Sequence, residues 1–427
     1  MLIGDADPAQ REARRTPHTR AAALCQSRTP MLFAAAAYVC YRYATYAVHA
    51  EEEEGQRPKR EYILKTSSST LNPAASQPAS QPCDFTNFAS NNFKMAASSP
   101  SSPADDDRGD SPGLDTNVVA ALPSSSGRIL VAPSGESLWV ETVKLEAING
   151  DDETEVFFKQ SVSGETGYGM MKGAFEGESA LYDFMPEYVP RPVSFGTYST
   201  RSDLHFYICE FVDMVDEFPG PVAWAGAAAS LHRRSMDRSP TGKFGFHCTT
   251  YSAFVPIDNI WHSSWEGFWT DKMKLLLSQD EELHGSDEKY SELQATFFNV
   301  VLPKYLGPLE SNGRSIKPCL IHSDLSPGNM KPRAHSGAIC MFNSSAYWGH
   351  HEAELGICRN PRYRLGEPYI KEYLNRMPIS EPVKDFNIRN AIYALRYHVL
   401  LSLIYYKNLS YRQVDETACR TGYAPSG

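Results

Sequence analysis

A regular pattern of apolar and polar positions begins near Leu114. Residues 130–132 form a short β-prone run, and Pro133-Ser134-Gly135-Glu136-Ser137 reads as a turn. Residues 138–148 alternate, with Trp139, Val143 and Leu145 on one face. Gly150-Asp151-Asp152 is a hairpin signal and residues 155–160 (EVFFKQ) are the return strand. Residues 170–184 place Met171, Ala174, Phe175 and Leu181 at helical spacing. Residues 204–212 (LHFYICEFV) return to strand, and Pro219-Gly220-Pro221 marks a hinge. Beyond it the pattern is mainly helical, over 222–232, 268–277, 290–309, 368–376 and 386–406. Two short apolar strands, 319–322 and 338–342, interrupt it. These elements predict an α+β fold of two lobes, a small β-rich N-lobe and a larger, mainly helical C-lobe. The cleft between such lobes is where a ligand is usually held.

Composition changes the picture mainly before residue 114. Residues 66–113 are rich in Ser, Ala, Pro, Gln and Asn and include the acidic run 105–107. Such a segment buries too little apolar surface to offset ordering entropy. The organisation expected is therefore a disordered extension over 1–114, a single domain over 115–415 (N-lobe 115–217, C-lobe 218–415) and a tail over 416–427. Residues 31–50 are the one membrane candidate, but Arg42 and many small residues make a poor span. The arginines before it allow a signal or transit peptide, although acidic residues in the same flank fit that poorly. A cytoplasmic protein is expected, with targeting or anchoring through residues 1–50 as the alternative and Met95 as an alternative start. The net charge of −10 argues against a nucleic-acid partner. Nine cysteines without a C-x-x-C pair suit free thiols in a reducing compartment.

The chemistry concentrates in Ile321-His322-Ser323-Asp324-Leu325-Ser326-Pro327-Gly328-Asn329. Transfer of a phosphoryl group to a hydroxyl needs a carboxylate to orient the nucleophile and take its proton. It also needs an oxygen ligand for Mg²⁺ a short loop away. Asp324 and Asn329 have that spacing, H-x-D-x-x-x-x-N. Taken alone it could be a plain Asp–Asn turn; the apolar strands on both sides favour function. Lys159 follows Phe157 and Phe158 on a strand, where a lysine can hold the α/β-phosphates of ATP. A lone lysine there ordinarily only deters edge pairing, so the downstream loop is what recommends the phosphate role. Asn343 ends the next strand, where a kinase-like fold has a metal-binding Asp. An amide is a weaker ligand than a carboxylate for a hard dication.

The runs 115–123 (DTNVVAALP), 157–159 (FFK), 170–173 (MMKG) and Pro190-Arg191-Pro192 resemble fungal members of the fructosamine/ketosamine-3-kinase family. So do 239–246 (SPTGKFGF), 317–322 (KPCLIH) and 347–356 (YWGHHEAELG). The resemblance implies a protein-kinase-like fold, with ATP and Mg²⁺ as cofactors. It implies transfer of the γ-phosphate to the sugar 3-OH of a ketosamine, such as ribulosyl- or fructosyl-lysine on glycated protein. Asp324 is then the base, Asn329 and Asn343 metal ligands, and Lys159 the ATP lysine. Ser134 and Gly135 lie over the phosphates, and Glu210 to Val212 form the adenine hinge. Three departures accompany it: Ser323 replaces a Gly, Ala174 the helix Glu that pairs with the strand lysine, and Asn343 the metal Asp. They raise the alternative of a pseudokinase that binds nucleotide or glycated protein without turnover. Glu354 is expected to hold its loop to a cationic partner, Trp265 to pack in the core, and His350 and His351 to lie at the surface.

Overall fold

The computed structural model describes residues 114–123, 128–135, 137–149, 153–285 and 288–408. The 66–113 segment, the 31–50 stretch, Met95, the Gly150-Asp151-Asp152 turn and the 416–427 tail lie outside them.

Strands β1 (Arg128–Pro133), β2 (Glu141–Ile148), β3 (Thr154–Ser163), β4 (Pro192–Thr197) and β5 (Leu204–Glu210) form one antiparallel sheet, ordered β1-β2-β3-β5-β4. The short helix α1 (Thr116–Ala120) precedes it, and α2 (Gly164–Phe184) follows β3 directly. Period-two alternation sorts the side chains. Leu145, Ala147, Phe157, Phe206 and Ile208 face α1, where Val118 and Leu122 cover them. Phe158, Val162, Tyr207 and Cys209 face α2, under Met170 and Met171. Asp115 caps α1 through the Asn117 N–H (2.9 Å) and ties it to the sheet by hydrogen bonds from the backbone and hydroxyls of Ser199 and Thr200. Burial pushes its carboxyl up, but those bonds prevail and hold it below the ordinary range.

Helix α3 (Pro221–Ser235) opens the second lobe with proline in its first turn, where the missing N–H is not needed. A hairpin follows, β6 (Thr250–Ser252) with β7 (Val255–Ile257). Then come α4 (Trp265–His284), α5 (Glu288–Thr296) and α6 (Leu302–Tyr305). Ser264 caps α4 by accepting from the Gly267 N–H (3.2 Å). Four three-residue strands make two antiparallel pairs, β8 (Cys319–Ile321) with β11 (Tyr347–Gly349) and β9 (Met330–Pro332) with β10 (Ile339–Met341). Helices α7 (Glu367–Leu374) and α8 (Phe386–Ile404) complete the lobe. Trp224, Trp265, Trp269 and Tyr393 are fully buried in its core, so Trp265 is a packing residue as expected.

Several boundaries move. The strand expected from 138 starts at Glu141. Ser137 Oγ accepts from the Trp139 and Val140 N–H groups and curls that stretch into a turn. Trp139 then packs edge-on against Phe254 of the β6–β7 hairpin, with ring centroids 5.2 Å apart. Helix α2 begins six residues before the expected start, and β4, β6, β7, β9 and β11 were not anticipated.

Candidate active site

The catalytic-loop candidates sit between β8 and β9, and the loop is held from three sides. Glu354, fully buried, accepts the N–H groups of His322 (2.8 Å) and Ser323 (2.9 Å). Arg396 of α8 donates to the Ser323 carbonyl (3.0 Å), and Trp224 of α3 donates to the Leu325 carbonyl (3.0 Å). His322 accepts the Asp324 N–H at Nδ1 (3.2 Å) and pairs through Nε2 with the Phe342 carbonyl (3.2 Å). Burial lowers its pKa to about 4, so the ring is neutral and Nε2 carries the hydrogen. Ser323 takes φ +74°, a left-handed conformation that glycine adopts without strain.

Asp324, half-buried at the end of this cradle, has its carboxyl raised to about 6 by burial, against the pull of the Arg396 guanidinium. Asn329 donates from Nδ2 to the Asp324 carbonyl (3.0 Å). Asn343 donates from Nδ2 to Asn329 Oδ1 (3.1 Å). Asp324, Asn329 and Asn343 thus converge on one small region. Mg²⁺ takes oxygen ligands, usually one or two carboxylates with several waters. The donors fit a hard cation in kind, with one carboxylate fewer than an Asp at 343 would give. The Asn343 loop is tied back to β8 by the Ser345 N–H on the His322 carbonyl (3.0 Å).

Lys159 requires a correction. It pairs with Ile208 across β3 and β5 and shares the parity of Phe157, so it lies on the α1 face of the sheet. The contacts to the second lobe arise on the opposite, α2 face. The Lys159 side chain, 3% exposed, donates to Ser161 Oγ (3.1 Å) and Tyr198 OH (2.7 Å). It therefore does not look at Asp324 across a shared crevice. The α2-facing positions of the same strands carry Lys144, Phe158 and Gln160. Lys144 Nζ lies 4.9 Å from the centroid of the Phe211 ring, at the hinge.

The helix carboxylate also moves. Glu178, one turn on from Ala174, reaches from α2 to the Asn343 loop and accepts the Ser344 N–H (2.8 Å). Gly177 permits the approach, since a Cβ there would lie 3.0 Å from Ser344 Oγ. Burial raises Glu178 to about 7, against the pull of the Ser344 and Asn343 backbone. A signal was present in the sequence: Met171, Ala174, Glu178 and Leu181 follow a 3-4-3 spacing, which sets one carboxylate into an apolar stripe. Arg396 had no comparable signal.

Ser134 and Gly135 occupy the β1–β2 turn, with Gly135 at φ +75° and its carbonyl accepting from the Thr142 hydroxyl (3.5 Å). At the hinge, the Glu210 and Phe211 N–H groups bond to the Arg191 and Val156 carbonyls. The Val212 N–H and C=O make no hydrogen bond among the described residues. The Glu210 side chain turns away to the Arg191 N–H (3.1 Å) and Arg333 (3.9 Å). It lines a cavity of about 640 Å³ with Tyr182, Arg191 and Arg333, to which no catalytic-loop residue contributes.

Glu354 holds the candidate catalytic loop through its backbone N–H groups, with His232 Nε2 3.5 Å from its carboxylate, while the arginine partner in this segment belongs to Glu352, buried with Arg389 (2.8 Å). His350 and His351 are buried rather than superficial, bonded to Tyr393 and Tyr373. With Glu352 they bring ligand atoms within 4.8 Å of one another. The Arg389 fork and the tyrosine bonds already engage them, so the trio is structural.

A sheet, a hinge and a helical lobe whose strand ends in His-x-Asp make up the protein-kinase-like phosphotransferase fold. Two solved structures assigned as fructosamine-3-kinases share it. One, from Haemophilus somnus, has a TM-score of 0.52 at 18% identity and covers 69% of this chain and 90% of that one. The other, from Thermobifida fusca, has a TM-score of 0.51 at 18% identity and covers 70% and 97%. Residues 134–417 match the family model described as fructosamine kinase. The chain belongs to the fructosamine kinase family. Among curated proteins it is 28% identical over 243 residues to a protein-ribulosamine 3-kinase, chloroplastic, of Arabidopsis thaliana, covering 55% of this chain and 66% of that one. It is 27% identical over 252 residues to one of the same name from Oryza sativa subsp. japonica, covering 58% and 67%. The chain thus spans about two thirds of the length of these relatives. No helix among the described residues is long and apolar enough to cross a membrane.

Proposed function

We propose that this chain transfers the γ-phosphate of ATP to the 3-OH of a ketosamine, with ribulosyl- or fructosyl-lysine on glycated protein as the acceptor. The observation that carries this reading is the convergence of Asp324, Asn329 and Asn343 at the end of β8. Asp324 accepts the proton of the sugar hydroxyl as its oxygen bonds to the γ-phosphorus and the bond to ADP breaks. Glu354 and Arg396 keep the loop backbone fixed, which holds the carboxylate in place. Asn329 and Asn343 would hold Mg²⁺, which when bound offsets the charge on the phosphate oxygens. The Val212 peptide is free to meet the adenine edge. A cytoplasmic site of action is retained; the chloroplast designation of the relatives suits the organelle alternative.

The test is ADP release from ATP/Mg²⁺ and a ribulosyl-lysine substrate. Asp324→Asn should lower the rate by about 10²–10⁴, the usual worth of a positioned base. Equal turnover by the variant overturns the assignment. The neutral Asn343 and the displaced Lys159 favour a second reading, a protein that binds nucleotide without turnover. Metal-independent nucleotide binding with no ADP release, and activity gained by Asn343→Asp, would select it.

A further inference from the structure

We propose that Glu178 of α2 supplies the carboxylate that the divalent-cation site lacks at residue 343. The inference rests on the kinase reading of the site and names one more of its ligands. Glu178 is 3% exposed, and its Oε1 accepts the N–H of Ser344, the residue next to Asn343. Its Oε2 is buried and makes no hydrogen bond. No lysine, arginine or histidine forms an ion pair with Glu178 among the described residues. The strand lysine that would ordinarily neutralise a helix carboxylate, Lys159, is committed to Ser161 and Tyr198 on the other face of the sheet.

A buried carboxylate with one oxygen uncompensated is costly, and a cation beside it removes the cost. The same region has the complementary deficit. Asn329 and Asn343 offer only neutral amide oxygens, and the bond between the amides already occupies Asn329 Oδ1. A hard dication prefers anionic oxygen. Glu178 places a carboxylate oxygen without a hydrogen-bond partner one backbone residue from Asn343, so each deficit answers the other. The competing role is a clasp on the Ser344 N–H alone. Glu178→Gln separates the two, because glutamine keeps an acceptor for that N–H and loses the charge.

The experiment titrates Mn²⁺ into the full chain, followed by the electron paramagnetic resonance of the free ion, without nucleotide and with saturating ADP. Nucleotide affinity in EDTA is measured separately. Glu178→Gln should weaken Mn²⁺ binding by about 10–100-fold, while nucleotide affinity in EDTA and the metal-free Tm stay near wild type. Asn343→Asp, at an exposed position, should tighten Mn²⁺ binding, and the double variant should recover most of the loss. Wild-type Mn²⁺ affinity in Glu178→Gln, or no gain from Asn343→Asp, overturns the proposal. If wild type releases ADP from ATP/Mg²⁺ and ribulosyl-lysine, that failure leaves the kinase reading standing; with no ADP released and no nucleotide bound under any condition, both fall.

Discussion

Replacing Lys159 with methionine separates two roles for one ammonium: holding phosphate in the cleft, or holding the outer face of the sheet together. The structure gives it hydrogen bonds of 3.1 Å to Ser161 and 2.7 Å to Tyr198, with its Nζ 5.4 Å from the centroid of the Tyr198 ring. A hydrogen bond to a charged group contributes about 1.5–3 kcal/mol. Methionine keeps the apolar stem and removes the cost of burying a charge, which offsets part of that loss. The net destabilisation expected is about 1–2 kcal/mol, or a fall in Tm of about 2–4 °C per kcal/mol in a domain of this size. Nucleotide affinity should change by less than about twofold, whereas losing a phosphate-bound ammonium would cost about 1.4 kcal/mol or more, a factor of ten. Thermal unfolding and titration with a fluorescent ADP analogue read the two quantities on one sample. Lys144→Met is the companion, since Lys144 faces the α2 side beside the hinge ring; it should weaken nucleotide binding with little effect on Tm. A tenfold loss of nucleotide affinity in Lys159→Met with an unchanged Tm would refute the placement of the ammonium under α1.

Two other outcomes follow from the catalytic loop. A base must be ionised to accept a proton, and Asp324 is raised to about 6 by burial; kcat/KM should therefore climb about tenfold per pH unit up to about pH 6 and level off above it. A profile flat to pH 4.5 would exclude Asp324 as the titrating base. Ser323 sits at φ +74°, where an L side chain costs about 1–2 kcal/mol. Ser323→Gly should raise the stability by about 1 kcal/mol after glycine's extra unfolded-state entropy is charged against it; denaturant midpoints measure this, and a drop would mean that the hydroxyl is supporting the loop.

The lobes and the catalytic loop were legible because their signals are local. An apolar run, Cys319-Leu320-Ile321, leads directly into His322-Ser323-Asp324, and the spacing to Asn329 is a chain distance. The Lys159 assignment failed because it depends on the parity of a strand within a sheet. Shifting the pairing by one residue sends every side chain to the opposite face, and residues 155–160 contain Val156, Phe157 and Phe158 in succession, so hydrophobicity does not say which face is which. α1 and the residues just after it decide it by laying Val118 and Leu122 over Phe157, a contact between segments about forty residues apart. The helix carboxylate, expected at position 174, is displaced to Glu178 for a related reason. The helix was expected from residue 170, yet it begins at Gly164, and which residue meets the metal loop depends on how α2 docks. The short strands β9 and β11 carry too few residues for periodicity to reveal.

Whether such a site turns over depends on charge balance more than on the presence of the base. Asp324 feels burial, which favours its protonated form, and Arg396, which favours its ionised form. A result near 6 leaves it ionised at neutral pH and still basic enough to take a hydroxyl proton in the transition state. That setting does not involve residue 343. What Asn343 affects is the stabilisation of charge on the transferring phosphate, which in this reaction class comes almost entirely from positioned cations. Lys159 faces away from the cleft and Asn343 is neutral, so beyond Lys144 the cationic help at the phosphates rests on a divalent ion held by amides and by whatever carboxylate lies within reach. Glu178 is the buried carboxylate that touches the loop. If it engages the ion, the site has its base, its metal and a neutralised helix acid at once. If it does not, Asp324 is a correctly set base beside phosphates whose metal is held by neutral amides.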